Sequence, residues 1–287
     1  MQHLTHRSVT AIVVGYNHAH CLGRCFDSLM GQQGLDQLEV IFIDNASRDS
    51  SAAMSSWHLQ IHVVRNPRNV GFAAAVNQGL ARAAGHYVAL VNPDTAIGPL
   101  TLRRLLDRLR QHPEVGLVGP TLLGEDGRPQ QSMAHYPTLP GQLRRLLRRP
   151  PGGGSGWLVG ALVVAERSLL RSLGGLDETF FVYGEDMDLS HRVQQLGRTI
   201  HLESDLFVTH TGNPRWTTDR LVRVYGAYLR FLGHHHPLQR LPVGLGLSGL
   251  WLLRGLAGRA GMAQVRDGLR RMWSSAPDRP PREGAES

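Results

Sequence analysis

Glu185, Asp186 and Asp188 put three carboxylates within four positions, directly after the aromatic run Phe180–Tyr183 (FFVY), in a chain of formal net charge +8. Acids in the first turn of a helix are favoured by the helix dipole, by roughly 0.3–1 kcal/mol each, and that field would hold them ionised. This accounts for one or two of the three. Helical phase adds a second reading. The apolar stripe Leu189, Val193, Leu196 runs back three residues to Asp186, so Asp186 heads a buried stripe, where a carboxylate costs desolvation unless it is paired or used. Glu185 and Asp188, three apart, share the neighbouring face. A carboxylate held in a cleft suits general-base chemistry. Together with Asp94, these acids also suit a divalent metal, Mg2+ or Mn2+, which takes oxygen ligands and carries substrate phosphates.

Such a site needs a frame, and the N-terminal half predicts one. Apolar runs at Val9–Gly15, Leu38–Ile43, Ile61–Val64 and Tyr87–Val91 read as buried parallel strands. Helical spacing at Ala19–Met30, Phe72–Ala83 and Leu100–Leu109 falls between or after them. Alternating strand and helix gives an α/β fold with a mainly parallel sheet, whose ligands sit beyond the carboxyl ends of the strands. Polar residues occupy those ends: Tyr16 and Asn17, Asp44 and Asn45, Asn66, and Asp94. The segment after the first strand is GYNHAH rather than G-x-G-x-x-G, and the absence of lysine rules out a Walker A loop. The crevice is therefore not built for a dinucleotide or ATP in those standard ways.

Further on, Pro140–Gly156 reads as a mobile loop and Trp157–Ala165 as a strand. A helix over Glu166–Leu173 stops at Gly174-Gly175, and the acid-bearing helix ends at Gln195. Thr199–His201 and Leu206–Val208 read as two short strands. Residues 1–218 are expected to form one domain, and 219–287 a helical, basic extension with a Pro-rich tail. With 41% hydrophobic residues in 287, the chain is globular. Cys21 and Cys25 read as reduced, packed thiols. Met1–Thr10 carries no apolar signal core, so a cytoplasmic protein is expected. No run reaches the ~20 apolar residues of a membrane span. Leu241–Leu253 is uncharged but short, and Gln142–Arg149 (QLRRLLRR) holds four arginines. Both suit an anionic membrane surface as well as they suit, respectively, a packed helix and a solvated face. Nucleic acid is disfavoured, because no recognition motif accompanies the charge.

Six segments in order give the sequence a family likeness: IVVGYN (Ile12–Asn17), IDNASRDSS (Ile43–Ser51), NPRNVGFAAAVNQG (Asn66–Gly79), NPDT (Asn92–Thr95), WLVGA (Trp157–Ala161) and GGLDETFFVYGEDMDLSHRVQQLG (Gly174–Gly197). Over about residues 8–212 the chain resembles the inverting family 2 glycosyltransferases of GT-A fold, most of all their rhamnosyltransferase-like members. The resemblance implies a nucleoside-diphosphate sugar donor, dTDP-rhamnose first and UDP-sugars next, and a saccharide or lipid-linked acceptor on the inner face of the membrane. Donor binding then falls to Tyr16, Asn17, Asp44, Asn45, Asn69, Gly71, Phe72, Asn77, Asn92 and Asp94. For Asp44 a helix cap is the alternative, and for the 69–77 set turn and helix packing. Asp94 matches the metal-binding acid of a D-x-D motif whose first position is here Asn92, and His210 matches a histidine that completes the metal site in some relatives. A histidine near a strand end is also a common structural residue. Asp186 matches the catalytic base, with Glu185 and Asp188 supporting it and orienting the acceptor. Trp157, Asp177, Glu178 and Tyr183 would line the acceptor side. Two other readings stay open: a nucleotidyltransferase, which GYNHAH does not equip for a triphosphate, and an inactive, membrane-binding GT-A-like protein.

Overall fold

The computed structural model describes residues 7–54, 60–151, 156–212, 217–256 and 262–274. The first strands are β1 (Ser8–Gly15), β2 (Gln37–Asp44), β3 (Ile61–Arg65) and β4 (Tyr87–Val91). Helices α1 (Ala19–Met30), α2 (Ser51–Met54) and α3 (Phe72–Arg82) alternate with them. The parallel register pairs Gly15 with Asp44, Asp44 with Arg65, and Val13 with Val91. The strands therefore end nearly level, and Tyr16, Asn45, Asn66 and Asn92 lie along one edge.

The chain continues through β5 (Thr95–Ala96), α4 (Thr101–Gln111), β6 (Val115–Leu123), β7 (Met133–His135) and α5 (Leu139–Leu146). Next come β8 (Gly156–Leu158), β9 (Leu162–Glu166), α6 (Arg167–Ser172), α7 (Glu185–Gln195) and β10 (Thr199–His210). Eight strands form a mixed sheet in the order β3-β2-β1-β4-β9-β6-β10-β5, with β9 and β5 antiparallel to their neighbours; β7 and β8 pair separately.

Several sequence expectations are corrected here. The strand expected over Trp157–Ala165 is two strands in different sheets, broken at residues 159–161, where the Ala161 carbonyl accepts from Asn92 N. The loop expected from Pro140 begins as helix α5, capped by Thr138 Oγ1, which accepts from Gly141 N; residues 152–155 of that loop lie outside the described residues. The two short strands near 199–208 are one strand, β10, with a register shift between Glu203 and Phe207. Leu196, expected on the buried stripe of α7, is 57% exposed because the helix has ended at Gln195.

Two cores sandwich the sheet. One buries Phe26 and Phe42 with the apolar face of α4; the other buries Ile12, Ile41 and Val76 with Leu189 and Val193 of α7. A third core joins the C-terminal helices α8 (Thr218–His235), α9 (Pro237–Leu256) and α10 (Met262–Trp273) to the rest. In it Phe231, Leu232, Trp251 and Met272 pack with Tyr136, Phe180 and Met187. The Phe231 ring stacks on Tyr136 at 5.3 Å between centroids and is fully buried. The position expected as a boundary, residue 218, is the first residue of α8, whose N-cap is Thr217 and whose apolar face packs against the acid-bearing segment.

Phe231→Ala should cost about 3–5 kcal/mol and lower the midpoint of one cooperative urea transition. A separate early transition, with the main one unmoved, would show that the extension unfolds on its own.

Candidate active site

The strand ends are held by side-chain bonds. Asp44 is buried; its Oδ1 accepts from Ser47 N at 2.9 Å and its Oδ2 lies 3.4 Å from Arg65 Nε. One oxygen thus holds the turn at residues 45–47 rather than a helix cap, since α2 begins only at Ser51, and the other faces a guanidinium. Asn45 is equally buried and fully engaged. Its Nδ2 donates to Asn69 Oδ1 (2.8 Å) and Gly71 O (3.2 Å), and its Oδ1 accepts from Asn66 Nδ2 (3.1 Å) and Val70 N (3.0 Å). Asn45 therefore fastens the 66–71 loop to the end of β2. Asn17 accepts from Arg48 N, and its own N donates to Ser47 Oγ, while Tyr16 N donates to His18 Nδ1. Asn17 (φ 58°), Ala46 (φ 68°) and Tyr183 (φ 67°) sit in the left-handed region. For residues with a Cβ that region costs on the order of 1–2 kcal/mol, a strain that clusters at functional sites.

The same loop grips the acid-bearing segment. Phe72 N donates to Phe181 O at 2.7 Å, and Gly71 (φ 91°) lies so close that a Cβ there would come within 2.8 Å of that carbonyl oxygen. Only glycine meets both conditions. Asn77 Oδ1 accepts from Leu176 N at 2.8 Å, and its Nδ2 donates to Leu176 O and to Glu178 Oε1, both at 2.9 Å. Asn69, Gly71, Phe72 and Asn77 thus all take part in joining the two halves of the site.

Asp94 is the third residue of a tight turn in which Asn92 N donates to Ala161 O and Asn92 O accepts from Thr95 N. His210 comes from the far end of β10, with Nε2 3.4 Å from Asp94 Oδ1. That contact is too poorly aimed to satisfy Oδ1, which is buried without a hydrogen bond. Burial alone would raise the Asp94 pKa; the neighbouring His210 and His18 outweigh it and hold the carboxyl below its usual range. His210 Nδ1 is 2.8 Å from Gln130 Oε1, so Gln130 is placed to accept from Nδ1 when Nε2 gives its lone pair to a cation. Metal-ligating histidines are oriented in this way. A Cβ on Gly212 would come 2.9 Å from His210 Nε2 and 3.0 Å from Asp94 Oδ2, so glycine keeps that space open. One oxygen and one nitrogen ligand beside an open space fit a divalent cation completed by phosphate and water.

The three acids of α7 have three environments. Asp188 is 1% exposed and doubly paired, with Arg192 Nε at 2.6 Å and His235 Nε2 at 2.7 Å. Burial raises its pKa, and these two partners more than reverse the effect. Asp188 braces the helix, with both carboxylate oxygens paired inside the protein. Asp186 Oδ2 accepts from Gly160 N at 2.9 Å and its Oδ1 from Met187 N at 2.8 Å. Glu185 is buried, and its Oε2 has no partner. A cavity of about 10 Å³, room for about one water, is lined by Glu185, Asp186, Gly160 and Ser190 among apolar side chains. The expectation that the dipole keeps all three ionised is corrected. Burial raises the pKa of both Glu185 and Asp186, with the Asp186 charge adding to the rise at Glu185 and the backbone donors moderating it at Asp186.

On the acceptor side, Asp177 Oδ1 accepts from Thr179 N and its Oδ2 lies 3.3 Å from His234 Nδ1. Arg220 lies over the Tyr183 ring at 5.6 Å, and the indole N–H of the half-buried Trp157 has no hydrogen-bond partner among the described residues. Asp177, Asp188 and His234 also bring one ligand atom each within 4.8 Å of one another, but Asp188 is spent on Arg192 and His235. Sequence reasoning missed Gln130, Gly160 and His235. Gln130 acts through contacts that link distant segments, and nothing in its own neighbourhood marks it; Gly160 lies in the WLVGA segment, but the bond from its N–H to Asp186 does not show there; the HHH run at 234–236 was visible without a partner to assign.

Comparison with known proteins fits this geometry. Residues 10–174 match the family model described as glycosyl transferase family 2. An N-acetylglucosaminyl-diphospho-decaprenol L-rhamnosyltransferase of Mycobacterium tuberculosis is 26% identical over 268 residues, covering 82% of this chain and 85% of that protein. The pre-mycofactocin glycosyltransferase of the same species is 30% identical, covering 87% of this chain and 53% of its relative. Among solved structures, the Pyrobaculum calidifontis mannosyltransferase PcManGT in complex with GDP-Man and Mn2+ superposes with TM-score 0.61 at 20% identity, over 92% of this chain and 84% of that one. TarS 1-349 of S. aureus in complex with UDP gives 0.61 at 18%, over 94% and 81%. The fold is thus of the GT-A type, and the chain, a glycosyltransferase, belongs to glycosyl transferase family 2.

Proposed function

We propose that this enzyme is a metal-dependent, inverting transferase that moves a sugar from a nucleoside-diphosphate donor to a hydroxyl of a saccharide or lipid-linked saccharide in cell-surface polysaccharide synthesis. The observation that carries the reading is the pairing of two unlike acidic sites in one fold: Asp94 held ionised beside His210, and Asp186 raised and aimed by the Gly160 N–H. Asp186 takes the proton of the acceptor hydroxyl as that oxygen attacks the anomeric carbon opposite the leaving diphosphate. A cation bound by Asp94 and His210 would neutralise charge on the departing phosphate. Asp44 and Arg65 face the nucleotide base, and the 66–72 loop closes over the donor. L-rhamnose is the first candidate sugar, because a relative covering 82% of this chain is named a rhamnosyltransferase on a diphospho-decaprenol acceptor. Such an acceptor places the enzyme peripherally on the inner face of a membrane, and no described helix is long and apolar enough to cross one.

Asp186→Asn should lower turnover by ~10²–10⁴-fold while leaving nucleotide-induced thermal stabilisation intact; near-normal turnover in radiolabelled sugar transfer would remove Asp186 from the mechanism. Burial raises the Asp186 pKa, and the base works deprotonated, so kcat/KM should climb with pH along a limb centred above the ordinary carboxylate value of ~4. A limb at or below that value would contradict the assignment.

Nucleoside diphosphate at ~100 times its Kd adds roughly 2.7 kcal/mol of stability. The Mg2+- or Mn2+-dependent part of that shift should vanish in Asp94→Asn and shrink in His210→Ala. A shift unchanged by metal in the native protein would count against metal dependence.

A further inference from the structure

The acid cluster leaves unused a cleft of about 430 Å³ between α5, the C-terminal half of α7 and the joint of α8 with α9. Tyr136, Arg144, His191, Gln195, His236 and Gln239 line it. Tyr136 is fixed by stacking on Phe231 and by donating to Gln194 Oε1 at 2.9 Å. Gln239 Oε1 accepts from Leu139 N at 2.8 Å, which ties α5 to the start of α9 and leaves the Gln239 amide N–H groups unpaired among the described residues. Arg144 likewise has no carboxylate partner among them. Burial, with the neighbouring His235 and His236, pushes the His191 pKa down to about 4, so that ring is a neutral hydrogen-bonding wall. One exposed cation with amide and imidazole groups around it suits a singly charged phosphodiester.

The surroundings identify the source of that phosphate. On α5, Leu139, Leu143 and Leu146 are spaced by four and three residues and are 52%, 56% and 79% exposed. Arg144, Arg145, Arg148 and Arg149 stand among them, and none makes an ion pair among the described residues. On α9, Leu238, Leu241, Leu245, Leu252 and Leu253 are all exposed and, at 100° per residue, share about a third of the helix circumference. This pairing of exposed leucines with unpaired arginines is complementary to an anionic lipid interface. A second copy would bring its own unpaired arginines against these.

We propose that the cleft holds the phosphodiester of an anionic phospholipid headgroup, while the leucine stripes of α5 and α9 enter the lipid interface on either side. The proposal deepens the membrane-facing part of the function above and rests on it, but its test is independent of catalysis. The full-length protein should float with phosphatidylcholine vesicles containing 30 mol% phosphatidylglycerol, and not with phosphatidylcholine alone. One arginine near an anionic surface contributes about fivefold to binding. Arg148→Gln, outside the cleft, should lose about that much, and Arg144→Gln at least tenfold. Leu143→Glu combined with Leu245→Glu should abolish flotation. All variants should keep the wild-type thermal shift with nucleoside diphosphate, which separates failure of this surface from failure of the transferase reading. Equal losses for Arg144→Gln and Arg148→Gln would reduce the cleft to generic charge and overturn the proposal. So would equal binding to both vesicles, no binding to either, or release from vesicles by inorganic phosphate at low millimolar concentration, which would mark a site for free phosphate.

Discussion

Two carboxylates, Glu185 and Asp188, are buried in one helical turn beside a half-buried third, Asp186, and the rest of this structure depends on how the charge of Asp188 is neutralised. Arg192 approaches it from one turn further along α7, and His235 from α8. Arg192 also donates to Leu173 O and Gly175 O, both at 3.0 Å, so its guanidinium pins the turn that leads into the acidic segment. Removing one partner of such a buried pair strands the other charge, typically at about 3–5 kcal/mol. Helix α7, the glycine turn before it and the first C-terminal helix therefore stand or fall together. Phe231 stacking on Tyr136 is the apolar half of the same joint.

A second constraint links donor and acceptor halves. Level strand ends bring Asp44, Asn45 and Asn66 into one row, but the row becomes a pocket wall only because Asn45 spends every side-chain bond on the 66–71 loop. That loop meets the Phe180–Tyr183 run through the Phe72–Phe181 hydrogen bond, and the run leads directly into Glu185. A displacement of the loop must therefore be felt in the backbone that places the acids. Two of the residues with positive φ, Ala46 and Tyr183, lie at either end of this chain of contacts. The strain is distributed along the path where donor and acceptor geometry are coupled.

β1, β2 and β4, with α1 and α3, were legible because parallel strands covered on both faces read as largely apolar runs followed by polar residues; β3, at the sheet edge and mostly exposed, was read from the short run IHVV. The short elements after residue 110 were not. β6 contains Gly116, Gly119 and Pro120 and lacks a clean run, and α5 hides in a stretch whose Pro and Arg content mimics a loop. The break at residues 159–161 was invisible because WLVGALVVA is apolar throughout, and only the turn after β4, bonding to Ala161 O, shows why the strand must stop. The acidic residues were found by type and spacing. Their protonation was misjudged because the dipole acts on a helix terminus in any setting, whereas desolvation is set by what lies over it, here Trp157, Phe180 and the C-terminal helices. Gln130 and His235 act at 80 and 47 residues' separation from their partners, which no local pattern encodes.

The four acids finally divide by environment rather than by type. Asp94 and Asp188 each face a histidine, and Asp188 an arginine as well; both are held below the usual carboxylate range. Glu185 and Asp186 face apolar walls and each other, and both are raised. Like charges that close cannot both ionise cheaply, so the proton they contend for resides on the member with fewer donors. Asp186 accepts from two backbone N–H groups, whereas Glu185 Oε2 has none. Burial therefore acts on Glu185 with less to oppose it than on Asp186. In the proposed mechanism a protonated Glu185 would relieve the repulsion on a charged, half-buried Asp186. Its role there would be to keep the neighbouring base both available and basic, which the sequence pattern ED alone would not distinguish from a pair of equivalent acids.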